Sequence, residues 1–131
     1  MARASATAED NALAAVTLVG GGSFTGAGAA YFGANTGDPG TSGASEATYS
    51  SGSRAAITWA SPSGGSVANA TSALSLNISS GQTVDYFSTW GAATSTGGGG
   101  YQIGGALSST IDFVTNGVLS VAVGGLTLTA S

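Results

Sequence analysis

The sequence contains no cysteine, no histidine and no lysine, and its only basic residues are Arg3 and Arg54. Each absence removes a class of chemistry. Without Cys or His there is no disulfide framework, no thiol nucleophile, no His-containing triad and no ordinary zinc site. Two arginines cannot neutralise a phosphate backbone, so nucleic acid is not an expected partner. No uninterrupted apolar run approaches the ~20 residues that a membrane-spanning helix requires, and no membrane partner is expected. Large aliphatic bulk is scarce as well: Val, Ile, Leu and Phe supply 24 of 131 residues. That is a level at which disorder becomes a concern, but a disordered chain also wants high net charge, and here the net charge is −4.

What fills the chain instead is small. Ala, Gly, Ser and Thr account for 83 of the 131 residues. Ser and Thr cover the solvent faces of strands, and Ala and Gly let sheets or subunits approach closely. The length suits one domain with a small core, and a monomer so short of large apolar side chains would be marginal. Self-association or docking on a larger surface would supply the missing burial.

The one helical pattern spans residues 5–16. Ser5 or Thr7 is placed to cap it, Glu9 and Asp10 suit a first turn, and Leu13 and Val16 share a face at i, i+3. Gly20, Gly21 and Gly22 end it. The apolar run Leu13 to Val19 is short and follows two acids, so no secretory signal is read there. The chain is expected to stay where it is made until it joins something larger. The rest reads as about eight short strands: 29–33, 53–59, 71–78, 83–90, 101–107, 111–114, 118–123 and 126–129. Residues 41–53 read as a loop crossing, and Asn116-Gly117 and Gly124-Gly125 as hairpin turns. Strict alternation puts Val84, Tyr86, Ser88 and Trp90 on one face and Phe87 on the other. The expected fold is therefore all-β, an antiparallel β-sandwich or jelly roll. It divides into an N-terminal helix or arm over 1–22 and a β domain over 23–131.

No carboxylate pair among Glu9, Asp10, Asp38, Glu46, Asp85 and Asp112 has a spacing that suggests acid–base catalysis, so the six read as structural or solvated. Asp38 before Pro39 reads as an Asx-type turn former; one carboxylate in that loop is too few for calcium. Neither catalytic residues nor a cofactor is expected. Arg54 opens an apolar strand, and the nearest acid across the loop is Glu46. That pairing would fix the loop, and a contact between subunits is the other reading. Trp59, Trp90, Tyr31, Tyr86 and Tyr101 read as core bulk, with interfaces or a glycan platform as alternatives.

The stretch from Ala29 to Gly65 resembles a pattern in small virion proteins of tailed bacteriophages, of the kind called tail fibre, minor capsid or decoration proteins. The turn falls at Asn35 to Pro39, the glutamate at Glu46, the arginine at Arg54, with Ala55 to Trp59 following. A terminal Gly-Leu-Thr-Leu segment lies at Gly125 to Leu128. The resemblance implies a β-sandwich or jelly roll, a homotrimer and no enzymatic activity. The leading expectation is a decoration or minor capsid protein on the outer surface of a phage head. It would bind the major capsid protein and reinforce capsomer contacts through many weak sites, with the 5–16 helix as a clamp. The second is a tail or head fibre module touching the host surface, with Trp90 and Tyr101 as glycan contacts. A carboxylate-dependent hydrolase and a free-standing sugar-binding module rank below both.

Overall fold

Alternation of dry and wet side chains drives strand formation, most plainly in Leu74-Ser75-Leu76-Asn77-Ile78, where buried and exposed residues alternate without a break. The computed structural model describes residues 29–94 and 100–129. They form nine strands: β1 (Tyr31–Asn35), β2 (Tyr49–Ser51), β3 (Ala55–Ala56), β4 (Ser66–Ala68), β5 (Leu74–Ile78), β6 (Gln82–Trp90), β7 (Tyr101–Phe113), β8 (Gly117–Val121) and β9 (Thr127–Thr129). The first sheet has the order β3-β1-β6-β7 and the second β2-β5-β8, while β4 and β9 pair as a ribbon. All pairings are antiparallel, and the architecture is all-β, as a β-sandwich. The helix expected over 5–16, with Leu13 and Val16, lies outside the described residues.

The core is shared by all three sheets. Phe32, Ala34 and Val84 come from the first, Leu74, Leu76, Ile78 and Leu119 from the second, and Val67 and Leu128 from the ribbon. Trp59 joins them, only 7% exposed, and its Nε1–H donates to the Ala29 carbonyl at 2.6 Å. That bond satisfies the one polar atom of a buried indole.

Three sequence expectations change. Asn116-Gly117 and Gly124-Gly125 are not hairpins: the first carries the chain from β7 in one sheet to β8 in the other, and the second leads on to the ribbon. A turn signal specifies a local reversal, whereas the partner is chosen by burial far away in sequence. Side chains anchor both corners. Asn116 Oδ1 accepts from the Ser80 amide at 2.8 Å, and Asn69 Oδ1 accepts from the Leu126 amide at 2.9 Å. Secondly, 101–107 and 111–114 fuse into the single strand β7, and β2 and β4 appear where no strand was expected. Thirdly, the register of β6 on β7 shifts between Val84 and Tyr86, which breaks strict alternation along β6. Val84 is therefore in the core rather than on the face of Tyr86, Ser88 and Trp90, while Phe87, on the opposite face from those three as expected, packs on Phe32 with ring centroids 6.2 Å apart.

Leu76 is 1% exposed and stands opposite Leu119 across β5 and β8. Leu76→Ala is expected to lower unfolding stability by about 2–5 kcal/mol, measured by equilibrium urea denaturation, with the circular dichroism spectrum of the folded state unchanged.

Candidate functional site

Arg54, Glu46 and Asp38 converge on the face of the first sheet turned away from the core. Residues directly opposite in an antiparallel pair share a face. The pairs Tyr31↔Trp90 and Gly33↔Ser88 therefore lie on one side, and Phe32↔Thr89 and Ala34↔Phe87 on the other. Along the second edge of β1, Phe32 pairs with Ala55, so Arg54 falls beside Gly33. Glu46 bridges Asn35. Arg54 and Glu46 thus emerge on the same face, either side of a glycine. Between them the chain leaves the first sheet, lends β2 to the second, where Tyr49 pairs with Ile78, and returns.

The two charges close the neck of that excursion. Arg54 Nε donates to Glu46 Oε1 at 2.7 Å, and Nη2 donates to Oε2 at 2.6 Å. The arginine side chain is 1% exposed and the glutamate 16%. Arg54 Nη1 donates to the carbonyls of Ala92 and Thr94, both at 3.1 Å, which ties in the connection after β6. The guanidinium carbon lies 3.6 Å from the centroid of the Trp90 ring, a cation–π contact. Planar, bidentate and stacked geometry of this kind suits arginine and not lysine.

A neutral network continues from the pair. The Tyr49 hydroxyl donates to Glu46 Oε1 at 2.6 Å. Burial, and then the Glu46 hydrogen bond and charge, push the Tyr49 phenol well above its ordinary pKa. Trp90 Nε1 donates to Ser88 Oγ at 2.7 Å, Ser88 Oγ donates to Asn35 Oδ1 at 2.6 Å, and Asn35 Nδ2 donates to the Ala44 carbonyl at 2.8 Å. A β-carbon at Gly33 would stand 3.0 Å from Ser88 Oγ and 3.1 Å from both Glu46 Oε1 and the Tyr49 hydroxyl. A side chain there would press on both networks at once.

The loop after β1 covers this face. Asp38 Oδ1 accepts from the Gly40 amide at 2.8 Å, an Asx turn, and the Pro39 carbonyl accepts from the Gly43 amide at 2.9 Å. Pro39 is fully buried, its ring over Gly104 of β7. Gly43 has φ +76, and a β-carbon there would come within 2.3 Å of the Trp90 ring. Only glycine both adopts that backbone and lets the loop lie on the indole. Trp90 is 9% exposed and meets Tyr101 edge-on at 5.5 Å. Burial, with the nearby Asp38 charge, raises the Tyr101 phenol too.

The structure therefore brings Arg54, Glu46, Trp90, Tyr101, Asp38 and Pro39 together under one loop and places Trp59 elsewhere, in the core. Tyr49, Asn35, Ser88, Gly33 and Gly43 belong to the same assembly and were not singled out from sequence. Tyr49, three residues after Glu46, was the one available signal. The arrangement holds three chain segments against a sheet, and the guanidinium's contacts are all with other parts of the domain.

The model of the family described as podophage GP4 fiber I protein gp80 matches residues 3–129. The chain belongs to that family. It is a structural protein of a bacteriophage virion. No curated protein matches it. Within this family member, the buried pair is a matter of stability: Arg54→Ala is expected to cost about 3–5 kcal/mol, because it leaves Glu46 buried without its counter-charge. Arg54→Lys should recover only part of that loss. Both are read by denaturant unfolding.

The Tyr49 shift has a definite sign. The folded state holds the phenolic proton more tightly than the unfolded chain, so its contribution is complete below the ordinary tyrosine pKa of 10.0. It is lost progressively as pH rises above that value. Stability is expected to fall above pH 10 in a melting series, and Tyr49→Phe should flatten that fall while lowering stability at neutral pH.

Proposed function

We propose that this chain is a subunit of a podophage fibre, a rigid and non-catalytic β module carried at the virion surface. The observation that supports this most is the match of almost the whole chain to a family whose description names a fibre protein. The local chemistry fits a structural part. Arg54 and Glu46 bond to each other, and Arg54 also to backbone carbonyls, so their hydrogen-bonding capacity is spent largely within the domain.

The fibre reading takes precedence over a decoration protein seated on the major capsid protein because the family description favours it. Three copies around an axis, the assembly implied by the sequence resemblance, belong to the same proposal. The glycan contact read from Trp90 and Tyr101 is the weaker alternative, since the Trp90 ring is sunk under the loop and only Tyr101 of the two is half-exposed.

A cryo-EM map of the intact virion with this chain located in it tests the proposal. Density confined to fibres projecting from the particle is expected. Density repeated over the capsid lattice on capsomer surfaces would replace the fibre by the decoration reading.

A further inference from the structure

We propose that the free edge of β7 is the surface on which a second copy of this chain pairs, continuing the first sheet across the interface by main-chain hydrogen bonds. This deepens the reading of the chain as a repeated virion subunit and rests on it. β7 is the longest strand, with 13 residues, and it pairs with β6 along one side only; no described strand lies along the other. A long open edge is a template for another strand. Proteins that avoid such pairing blunt the edge with Lys, Pro, bulges or very short strands. β7 has neither Lys nor Pro, and its one charged residue, Asp112, accepts a hydrogen bond from Thr83 at 2.7 Å. It does carry an irregularity: residues 107–110 stand opposite the single residue Asp85 and have no register partner on β6. That leaves Ser108, Ser109 and Thr110 exposed.

Among the described residues the exposed large hydrophobic side chains are Ile111, Val114, Val118 and Val123, the last three 85%, 60% and 56% exposed. All four fall on β7, β8 and the segments just after them, in a chain where such side chains are scarce. Beneath the edge a cleft of about 270 Å³ opens between the sheets, lined by Phe32, Phe87, Leu107, Val121 and Leu126 among others.

Charge selects the occupant. Among the described residues the only base is Arg54, buried in its ion pair, so this surface offers an acidic partner nothing to grip. A copy of the same nearly neutral edge brings no accumulated repulsion. Because residues 107–110 bulge opposite one residue of β6, the edge runs only the length of the nine residues of β6, roughly 30 Å at ~3.4 Å per residue, and at about 10 Å thick it covers roughly 300 Å² on each copy. That is the size of a weak, reversible contact, below the ~1,200 Å² of a small stable interface.

The test uses the full chain, with light scattering after size-exclusion chromatography over a hundredfold dilution series and hydrogen exchange read on residues 101–113. The same edge meets itself, so the contact is two-fold and separate from any threefold axis; the expected result is an even-numbered assembly that dissociates on dilution, with the β7 amides exchanging faster as it does. Thr110→Pro and Ser108→Lys, at positions without a rung to β6, should weaken assembly at least tenfold. Ser72→Lys, exposed on the turn before β5, should leave it unchanged. A monomer at every concentration would overturn the proposal, as would an assembly indifferent to both edge variants. A monomer with β7 amides protected at all dilutions would place another part of the same chain on the edge, and overturn it too. Exchange on the unmodified chain decides the matter if the variants do not fold, and none of these results bears on where the chain sits in the virion, which the map reads separately.

Discussion

The ion pair between Arg54 and Glu46 is the constraint on which the first half of the fold depends. An isolated charge moved into a protein interior loses several kcal/mol of hydration, so burying both groups is justified only if almost every lone pair and N–H finds a partner. Here the carboxylate receives two arginine bonds and one from Tyr49. The two Nη1 donors of the guanidinium reach backbone carbonyls after β6, and one of its faces lies on Trp90. The geometric result matters more than the energy of any one contact. The pair pins the two ends of an excursion that crosses from the first sheet to the second, so β2 is delivered to β5 at a fixed place.

Small residues are what allow a charged clamp to sit on a sheet face. Gly33 leaves the room between Arg54 and Glu46, and Gly43 lets the covering loop lie directly on the indole. A larger side chain at either position would lift the loop from the sheet and expose the pair to water, where an ion pair of this kind contributes little. The abundance of Gly, Ala, Ser and Thr is thus compatible with order: the polar face is packed by backbone and hydrogen bonds, while the few large apolar residues concentrate on the other face. Phe32, Leu76, Ile78 and Val84 are all nearly inaccessible to solvent.

The strands with clean alternation, β5 and most of β6, were legible in the sequence, because period-two patterning directly encodes a half-buried surface. The contact of Arg54 with Glu46 was legible for a different reason: Arg54 is the one base in residues 23–131, and Glu46 is the acid nearest to it in sequence. The corners were not. Asn116-Gly117 has the composition of a hairpin turn, yet the strands on either side of it join different sheets, since partner choice is settled by long-range burial. β2 and β4 are three residues each, too short to show a period. The network through Asn35, Ser88 and Trp90 depends on register, and one register shift of the kind seen at Val84 and Tyr86 moves every later side chain to the opposite face.

The two edges of the first sheet are treated in opposite ways, and this gives the domain a direction. On one side β3 is two residues long, and the rest of that edge is occupied by Glu46 and Ala47, with Arg54 fixed beside them. A short, clamped edge with its side chains locked in an ion pair cannot accept another strand without breaking the most expensive contact in the domain to lose. On the other side β7 runs on with small and apolar side chains and no basic residue. Among the described residues this sheet is sealed along one edge and open along the other, so a further strand can join it on one side only. The clamp therefore does more than hold a loop: by closing the wrong edge, it restricts any continuation of this sheet to β7.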